Sequence, residues 1–259
     1  MALFAVEVGP AAVAKAREHE LEEARNLQRA MVPAEPLRAH RVEIASRFRP
    51  ADGVGGDFLD YFALADRTLG LYVGDVVGKG LPAALYAALV MGTLRGIHKT
   101  GSPPAQVLEL LNKRLRMRVV GDRFCAAQCA VFDPATRVLH YANAGLPGPL
   151  HLSPGGCREL REGGIPAGLF EDTRYEAQRL QLEPGDAILF MTDGLNEAQS
   201  PDGEEFGMER LVKVCAAFQS DPAQSLLHHL FAAMDGFVGD HPQHEDMTAV
   251  VLKLDDHGA

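Results

Sequence analysis

The sequence predicts an α+β fold made of two antiparallel sheets that pack face to face, with a pair of helices on the outer face of each sheet. Predicted strands outnumber helices and follow one another in hairpin-linked runs, whereas a parallel sheet requires strands and helices to alternate. Turn signals such as Asp133-Pro134 separate neighbouring strands. Residues 187–191 (AILFM) are entirely apolar, which is typical of a central strand buried on both faces.

The order of the elements follows from apolar periodicity and from helix breakers. The helix that begins near residue 81 carries Pro82 in its first turn, where a missing N–H has no consequence. Glycine and proline at 101–104 separate it from the next helix. Helices are predicted over residues 11–31, 81–98, 105–119, 208–218 and 222–237. Strands are predicted over residues 42–49, 61–66, 69–73, 124–132, 138–143, 149–152, 187–191 and 247–254, with short segments at 157–160 and 174–182.

Residues 1–35 are expected to be a leader followed by a linker or dimerisation helix, and residues 36–256 a single domain. In the helix at 11–31 apolar residues recur at steps of three and four, opposite a charged face. Such a narrow stripe suits packing on the edge of the domain or a seam between two helices of a dimer, and both interpretations remain open. The stripe consists of Leu21, Ala24, Leu27 and Met31.

Composition limits the class of protein and its partners. The 259 residues are 47% hydrophobic, which is ample for a sizeable core, and the formal net charge is −10. Nucleic acids and anionic membranes select for clustered Lys and Arg, so we expect neither as a partner. The apolar run at 81–92 is shorter than the ~20 residues of a membrane span, and the N-terminus lacks the pattern of a signal peptide. The four cysteines form no CxxC pair, and we expect a cytoplasmic protein with reduced thiols.

Residues 55–80 contain two acidic residues that a hairpin would bring together. Asp57 follows Gly55-Gly56, Asp75 follows Gly74, and the apolar segments between them are joined by a polar turn at 65–68. A hairpin folded at that turn places both carboxylates at the same end of the sheet. Two carboxylates side by side repel each other unless a proton or a cation lies between them. The hairpin is therefore a candidate metal site.

Two further aspartates stand in the same kind of context as Asp57 and Asp75. Asp193 ends the most apolar strand and Asp246 begins the last one, so each lies at a strand end beside glycine or another acid. In an antiparallel core such ends can meet at one edge. Oxygen ligands without a His or Cys cluster favour Mg²⁺ or Mn²⁺ over Zn²⁺. An ordinary turn role for each aspartate is the alternative.

Five motifs give the chain a resemblance to the PPM-type metal-dependent protein phosphatases, in their stage II sporulation protein E / RsbU branch. The similarity runs from about residue 28 to residue 254, and the motifs stand in the family's order and spacing. They are GGDFLDYF (55–62), GDVVGKGLPAA (74–84), YANAG (141–145), TDGLNEA (192–198) and DMT (246–248).

The resemblance implies an αββα sandwich over residues 36–256 that binds two Mn²⁺ or Mg²⁺ ions and hydrolyses phosphoserine or phosphothreonine with a metal-activated water. It implies that Asp75 bridges both ions and that the Val76 carbonyl helps to hold one of them. Asp57, Asp193 and Asp246 would supply the other carboxylates. The implied substrate is a phosphorylated anti-sigma-factor antagonist, and the N-terminal helix would receive an upstream sensor or regulator or form a homodimer.

Some positions depart from the family pattern. Leu146 stands where members often have His after Ala-Gly, which puts a substrate contact by that His in doubt. Leu59 replaces a common Tyr and Glu245 replaces an Asp beside Asp246. Eukaryotic members have a His near the bridging Asp that can protonate the leaving group. Val76 and Val77 cannot do so, and the resemblance then assigns that role to a metal-bound water.

Several alternatives remain beside this interpretation. The segment GDVVGKG at 74–80 superficially resembles a P-loop, but it has three residues between the glycines where four are needed. Lys79 either approaches substrate phosphate or is a solvated turn residue. His241 and His244 are either solvated or ligands, and Asp60 is either a support for the site or a structural residue. A catalytically silent binding module and a small-molecule phosphatase are the competing functions.

Overall fold

The computed structural model of the chain describes residues 10–98, 102–117, 121–160 and 163–256. Most of the predicted leader and the C-terminal end of the helix predicted at 105–119 lie outside the described residues.

The described strands form two sheets in which every pairing is antiparallel. The first sheet has six strands, β1 (Leu37–Ala39), β2 (Val42–Arg49), β7 (Leu150–Ser153), β8 (Gly156–Glu159), β10 (Ala187–Met191) and β11 (Met247–Leu254), in the order β1-β2-β11-β10-β7-β8. The second sheet has five strands, β3 (Phe58–Ala63), β4 (Leu69–Val76), β5 (Cys125–Asp133), β6 (Val138–Ala144) and β9 (Gln178–Gln181), in the order β3-β4-β5-β6-β9.

Helices cover the outer face of each sheet. The described helices are α1 (Pro10–Met31), α2 (Gly80–His98), α3 (Pro104–Met117), α4 (Gly207–Ala217) and α5 (Ala223–Val238), with a 3₁₀ turn at Asp193–Leu195. α2 and α3 pack on the five-stranded sheet, and α4 and α5 pack on the six-stranded sheet. The predicted αββα order of layers is confirmed.

The two sheets divide the apolar core into three layers. Between the sheets, Ile44, Leu71 and Phe190 are among the buried side chains. The other two layers lie between each sheet and its helix pair. Fully burying a Leu, Ile or Phe side chain contributes roughly 2 kcal/mol, so the facing sheets and both helix pairs are needed to remove these apolar surfaces from water.

The central hairpin forms as predicted, and the differences from the sequence expectations are local. β3 and β4 pair with Phe58 opposite Gly74, although β3 begins at Phe58, before the start expected near residue 61. The segment at 174–182 is a strand only over Gln178–Gln181. β1 and the 3₁₀ turn were not predicted, because three residues are too few to display a periodicity.

α2 needs a correction to the membrane argument made from sequence. It has 19 residues with a mean hydropathy of 1.3, and it is the one helix in the described ranges that is long and apolar enough to cross a membrane. Its inner face is packed against the five-stranded sheet and α3. The apolar residues on its outer face are Leu81, Leu85 and Leu89, which are exposed.

α1 lies on the domain with its C-terminal part and is exposed along most of its length. Leu21, Ala24 and Met31 are half-buried as the predicted stripe requires, whereas Leu27 is 69% exposed. Gln28 occupies the inward face in its place. Leu27 therefore does not pack on the domain with the rest of the stripe, and Gln28 binds the domain there through hydrogen bonds.

Candidate metal centre

The four predicted aspartates lie at strand ends that meet at one edge of the sandwich, two from each sheet. Asp57 directly precedes β3 and Asp75 is the penultimate residue of β4, so the hairpin places them together. Asp193 follows β10 and Asp246 precedes β11, and these two strands pair antiparallel with Met191 opposite Ala249. The junction between the two sheets at this edge is hereafter called the acidic edge.

The Asp246 carboxylate accepts hydrogen bonds from backbone N–H groups of the segment that leads into β3. The donors are Ala51 N at 2.8 Å, Gly56 N at 2.6 Å and Asp57 N at 3.3 Å. A carboxylate that accepts several N–H bonds is strongly oriented. Asp246 directly precedes a strand of the six-stranded sheet, whereas its donors lie in the segment that leads into the five-stranded sheet. These hydrogen bonds therefore link the two sheets at the acidic edge.

Thr192 provides the second link across the sheets. Its hydroxyl donates to Asp57 Oδ2 at 2.8 Å and accepts from the Thr248 N–H at 3.0 Å. The Thr192 N–H in turn donates to the Thr248 carbonyl oxygen at 3.0 Å. Thr192 is fully buried and orients the Asp57 carboxylate. Sequence reasoning missed this role, although Thr192 stands directly before Asp193 in one of the five motifs.

Glycines at the acidic edge leave no room for a side chain. A Cβ on Gly55 would lie 1.9 Å from Asp246 Oδ2, and one on Gly194 would lie 1.9 Å from the Asp246 carbonyl oxygen. A Cβ on Gly56 would lie 2.8 Å from the Val76 carbonyl oxygen and 3.0 Å from Asp75 Oδ1. The predicted oxygen donors therefore form a cradle that only glycine can line.

Electrostatic repulsion dominates the acidic edge. Burial and then the charges of Asp75 and Asp246 raise the pKa of Asp57 well above its ordinary value. Burial, followed by the charges of Asp193 and Asp246, raises the pKa of Asp75 to about 7. The pKa of Asp193 is raised by burial and by Glu245. These carboxylates can all be ionised only when positive charge is placed among them.

The donor set fits hard divalent cations. The donors are carboxylate oxygens and the Val76 carbonyl oxygen, which lie around the glycine cradle, and Mg²⁺ and Mn²⁺ prefer such ligands. No three Asp, Glu, His or Cys side chains of the described residues are already gathered as a metal cluster. Backbone amides hold the Asp246 carboxylate. A bound cation would have to draw the ligands together.

Lys79 is held against the loop that carries Asp246. Its Nζ lies 2.7 Å from Glu245 Oε1 and donates to the His244 carbonyl oxygen at 2.9 Å. Lys79 is thus an exposed turn lysine whose ammonium group is held by two contacts. His241 is half-buried and His244 is exposed, and they share a hydrogen bond of 3.1 Å between their Nε2 atoms.

Gln28 connects α1 to the acidic edge. Its Nε2 donates to the Gly55 carbonyl oxygen at 2.7 Å and its Oε1 accepts from the Gly55 N–H at 3.0 Å. Gly55 precedes Gly56, whose N–H is bound to Asp246. The N-terminal helix thus holds the same segment that orients a predicted ligand. No sequence signal distinguished Gln28 from the other polar residues of α1.

Asp60 forms hydrogen bonds that join neighbouring elements, and Leu146 lies in the core. The Asp60 carboxylate accepts from Arg95 Nε at 2.8 Å and from the Tyr72 hydroxyl at 3.2 Å. Arg95 also donates to the Met31 carbonyl oxygen, so this group ties β3 to α2 and to the end of α1. Leu146 is buried in the core between the sheets. In this chain, position 146 therefore contributes to the core between the sheets.

Comparisons with known proteins place this geometry in one family. A model of the family "Stage II sporulation protein E (SpoIIE)" matches residues 65–255. Phosphoserine phosphatase RsbU of Bacillus subtilis is 25% identical over 240 residues, which cover 90% of this chain and 70% of that protein. Protein IcfG of Synechocystis is 26% identical over 264 residues, which cover 90% of this chain but 41% of that protein.

Solved structures confirm the fold. The SiaA-PP2C domain of Pseudomonas aeruginosa superposes with a TM-score of 0.84 at 28% identity, covering 95% of this chain and all of that domain. The structure of the RsbU and RsbW domains of Rv1364c from Mycobacterium tuberculosis gives 0.75 at 27% identity, covering 88% of this chain and 63% of that one. RsbX in complex with magnesium gives 0.64 at 16% identity, which bears on the fold alone.

Replacing Thr192 by Val should weaken cation binding at the acidic edge. The variant keeps the side-chain shape but removes the donor to Asp57 and leaves the Thr248 N–H without its acceptor. We expect Mn²⁺ affinity, measured by isothermal titration calorimetry, to fall by about 10- to 100-fold, as is usual when a ligand loses its supporting hydrogen bond. Thr192→Ser retains the hydroxyl and should bind within a few-fold of wild type. Equal Mn²⁺ affinity in wild type and Thr192→Val would contradict the role given to this hydroxyl.

Proposed function

The chain belongs to the stage II sporulation protein E family, and from that premise we propose that it is a metal-dependent phosphoprotein phosphatase acting on phosphoserine or phosphothreonine. The observation that supports this most directly is the acidic edge, where burial and mutual repulsion raise the pKa values of Asp57 and Asp75. A group of buried acids that repel one another suits a site that takes divalent cations together with a phosphate ester.

The residues that would hold the cations are those of the acidic edge. We assign Asp75 to the position between two ions and the Val76 carbonyl to one of them, with Asp57, Asp193 and Asp246 as the other ligands. Two divalent cations, Mn²⁺ or Mg²⁺, would activate a water molecule and neutralise the phosphoryl oxygens. The chain itself orients the ligands: Thr192 holds Asp57, and backbone N–H groups of residues 51–57 hold Asp246.

The substrate that this family membership supports is a phosphorylated protein. The relative RsbU is named a phosphoserine phosphatase, and the chain spans 70% of its length. We propose that the substrate is a phosphorylated anti-sigma-factor antagonist and that its dephosphorylation regulates a sigma factor in the cytoplasm. Because the chain covers less than half of IcfG and of RsbP, the partners of a complete protein are part of this proposal.

Turnover and its dependence on Asp75 test the proposed activity. Asp75→Asn removes the carboxylate assigned to both ions, so we expect Mn²⁺-dependent phosphate release from a phosphoserine protein to fall on the order of a hundredfold or more. Asp202→Asn, an exposed turn residue, makes the same chemical change as a matched control and should retain wild-type turnover.

The same assay separates the competing functions. A protein that releases no phosphate with Mn²⁺ or Mg²⁺ would be a binding module. Efficient hydrolysis of a small aryl phosphate with no activity on any phosphorylated antagonist from the same genome would identify a small-molecule phosphatase. Either result would contradict the proposal.

Regulation through the N-terminal segment is the second part of the proposal. Residues 1–35 would act as a linker and dimerisation helix ahead of a phosphatase domain at 36–256. α1 is exposed along most of its length, includes the exposed Leu27, and is tied through Gln28 to the segment that orients Asp246. A helix that pairs with a second copy, or with an upstream sensor, could therefore shift a ligand of the acidic edge.

Leu27→Glu tests this association. The side chain is 69% exposed, so the variant should fold, whereas a charge in a helix–helix seam should prevent pairing. We expect sedimentation velocity to show a dimer for the wild type and a monomer of 27.9 kDa for Leu27→Glu. Asn26→Glu, at the neighbouring exposed position, should remain dimeric. A wild type that sediments as a monomer, or an assembly state that neither Leu27→Glu nor removal of residues 1–30 changes, would contradict a dimerisation role.

A further inference from the structure

Lys79 is in the turn between β4 and α2, and its ion pair with Glu245 spans the acidic edge from one sheet to the other. Lys79 follows Asp75 by four residues, and Glu245 directly precedes Asp246. The side chains of Lys79 and Glu245 are 58% and 48% exposed. An ion pair with that exposure adds little to stability, so Lys79 can exchange Glu245 for another anion at small cost.

The Lys79–Glu245 pair lines a small cleft at the acidic edge. A cleft lined by Lys79, Glu245, Asp75 and Asp246 has a volume of about 10 Å³. That is close to the smallest space that holds one water molecule. A phosphoryl group is larger than this space, so its entry requires lining side chains to move, and Lys79 and Glu245 are the exposed, ion-paired side chains of the lining.

The charge of the cleft makes Lys79 the natural partner of an entering phosphate. Among the described residues that line it, Lys79 is the single Lys or Arg. The acids there would repel a phosphate dianion, and a lysine at the cleft adds positive charge to that of the bound cations. Ammonium-to-phosphate hydrogen bonds are charge-assisted, and Lys is a common binder of phosphate. The acids of the cleft are Asp52, Asp75, Glu245 and Asp246.

We propose that Lys79 binds the phosphoryl oxygens of the substrate and that it does so by exchanging Glu245 for phosphate. Glu245 then acts as a displaceable anion that holds Lys79 over the cleft before substrate enters. This inference rests on the proposed phosphatase function and adds a specificity residue to it. The alternative is a purely structural role, in which Lys79 only joins two loops through its ion pair and never contacts phosphate.

Binding of inorganic phosphate, measured by isothermal titration calorimetry on the full chain in Mn²⁺, tests the exchange without turnover. Lys79→Met should weaken phosphate binding by about tenfold, because one charge-assisted contact is lost. Glu245→Gln should strengthen it about threefold, because Lys79 no longer has a competing partner. Arg137→Met removes the same charge from the distant Arg137–Glu183 pair, which has a separation of 2.9 Å, and should leave phosphate affinity unchanged.

The double variant separates exchange from simple charge repulsion. If Glu245 acts by occupying Lys79, Glu245→Gln has no effect on phosphate binding in a Lys79→Met background. Equal strengthening with and without Lys79 would mean that Glu245 only repels phosphate, and this would overturn the proposal. Unchanged affinity in Lys79→Met would overturn it as well.

Turnover distinguishes failure of this inference from failure of the proposed function. With a phosphoserine protein as substrate, Lys79→Met should raise KM about tenfold with kcat changed less than threefold, since the contact binds substrate and transition state alike. If the Lys79–Glu245 pair has only a structural role, both single variants should instead lower kcat and leave phosphate affinity unchanged. A wild type that binds phosphate in this pattern but hydrolyses no phosphoester would refute the phosphatase proposal and retain Lys79 as a phosphate-binding residue.

Discussion

Repulsion among buried carboxylates at the junction of the two sheets is the constraint on which the rest of this structure depends. Two of the aspartates come from the β3–β4 hairpin and two from the ends of β10 and β11. Burial, followed by their proximity to one another, raises the pKa values of Asp57 and Asp75. Such an arrangement is unfavourable unless other parts of the fold hold the acids in place.

The fold supplies that restraint from both sheets and from a helix. Thr192 links Asp57 to β11, and the N–H groups of residues 51–57 link Asp246 to the segment before β3. Gln28 of α1 forms two hydrogen bonds with Gly55 of the same segment. The glycines allow the backbone to approach the oxygens closely. Orientation of the acids is therefore a property of the packed sandwich, and a cation that binds among them relieves repulsion that the fold has to withstand.

Much of this arrangement could be predicted from sequence, because it is encoded in local signals. Apolar runs and turn residues identified the hairpin and the layers, and the position of each aspartate at a strand end indicated the acidic edge. These signals are short-range, so a single chain displays them directly.

The parts that could not be predicted depend on side chains that meet only after folding. The Gln28–Gly55 pair joins residues 27 positions apart, and Thr192 reaches Asp57 across 135 positions. The Lys79–Glu245 pair likewise joins distant turns. Leu146 illustrates the opposite case: a departure from the family pattern suggested a lost contact, yet the residue fills the core between the sheets.

Thermal unfolding of the wild type and of Asp75→Asn, each with and without Mn²⁺, tests the central claim most directly. If repulsion at the acidic edge is real and a cation relieves it, metal-free Asp75→Asn should unfold at a temperature a few degrees above that of the metal-free wild type, at about 2–4 °C per kcal/mol of relief. Mn²⁺ should then raise the Tm of the wild type and leave that of Asp75→Asn unchanged. A metal-free Asp75→Asn that is less stable than the wild type, with equal stabilisation of both by Mn²⁺, would contradict the account.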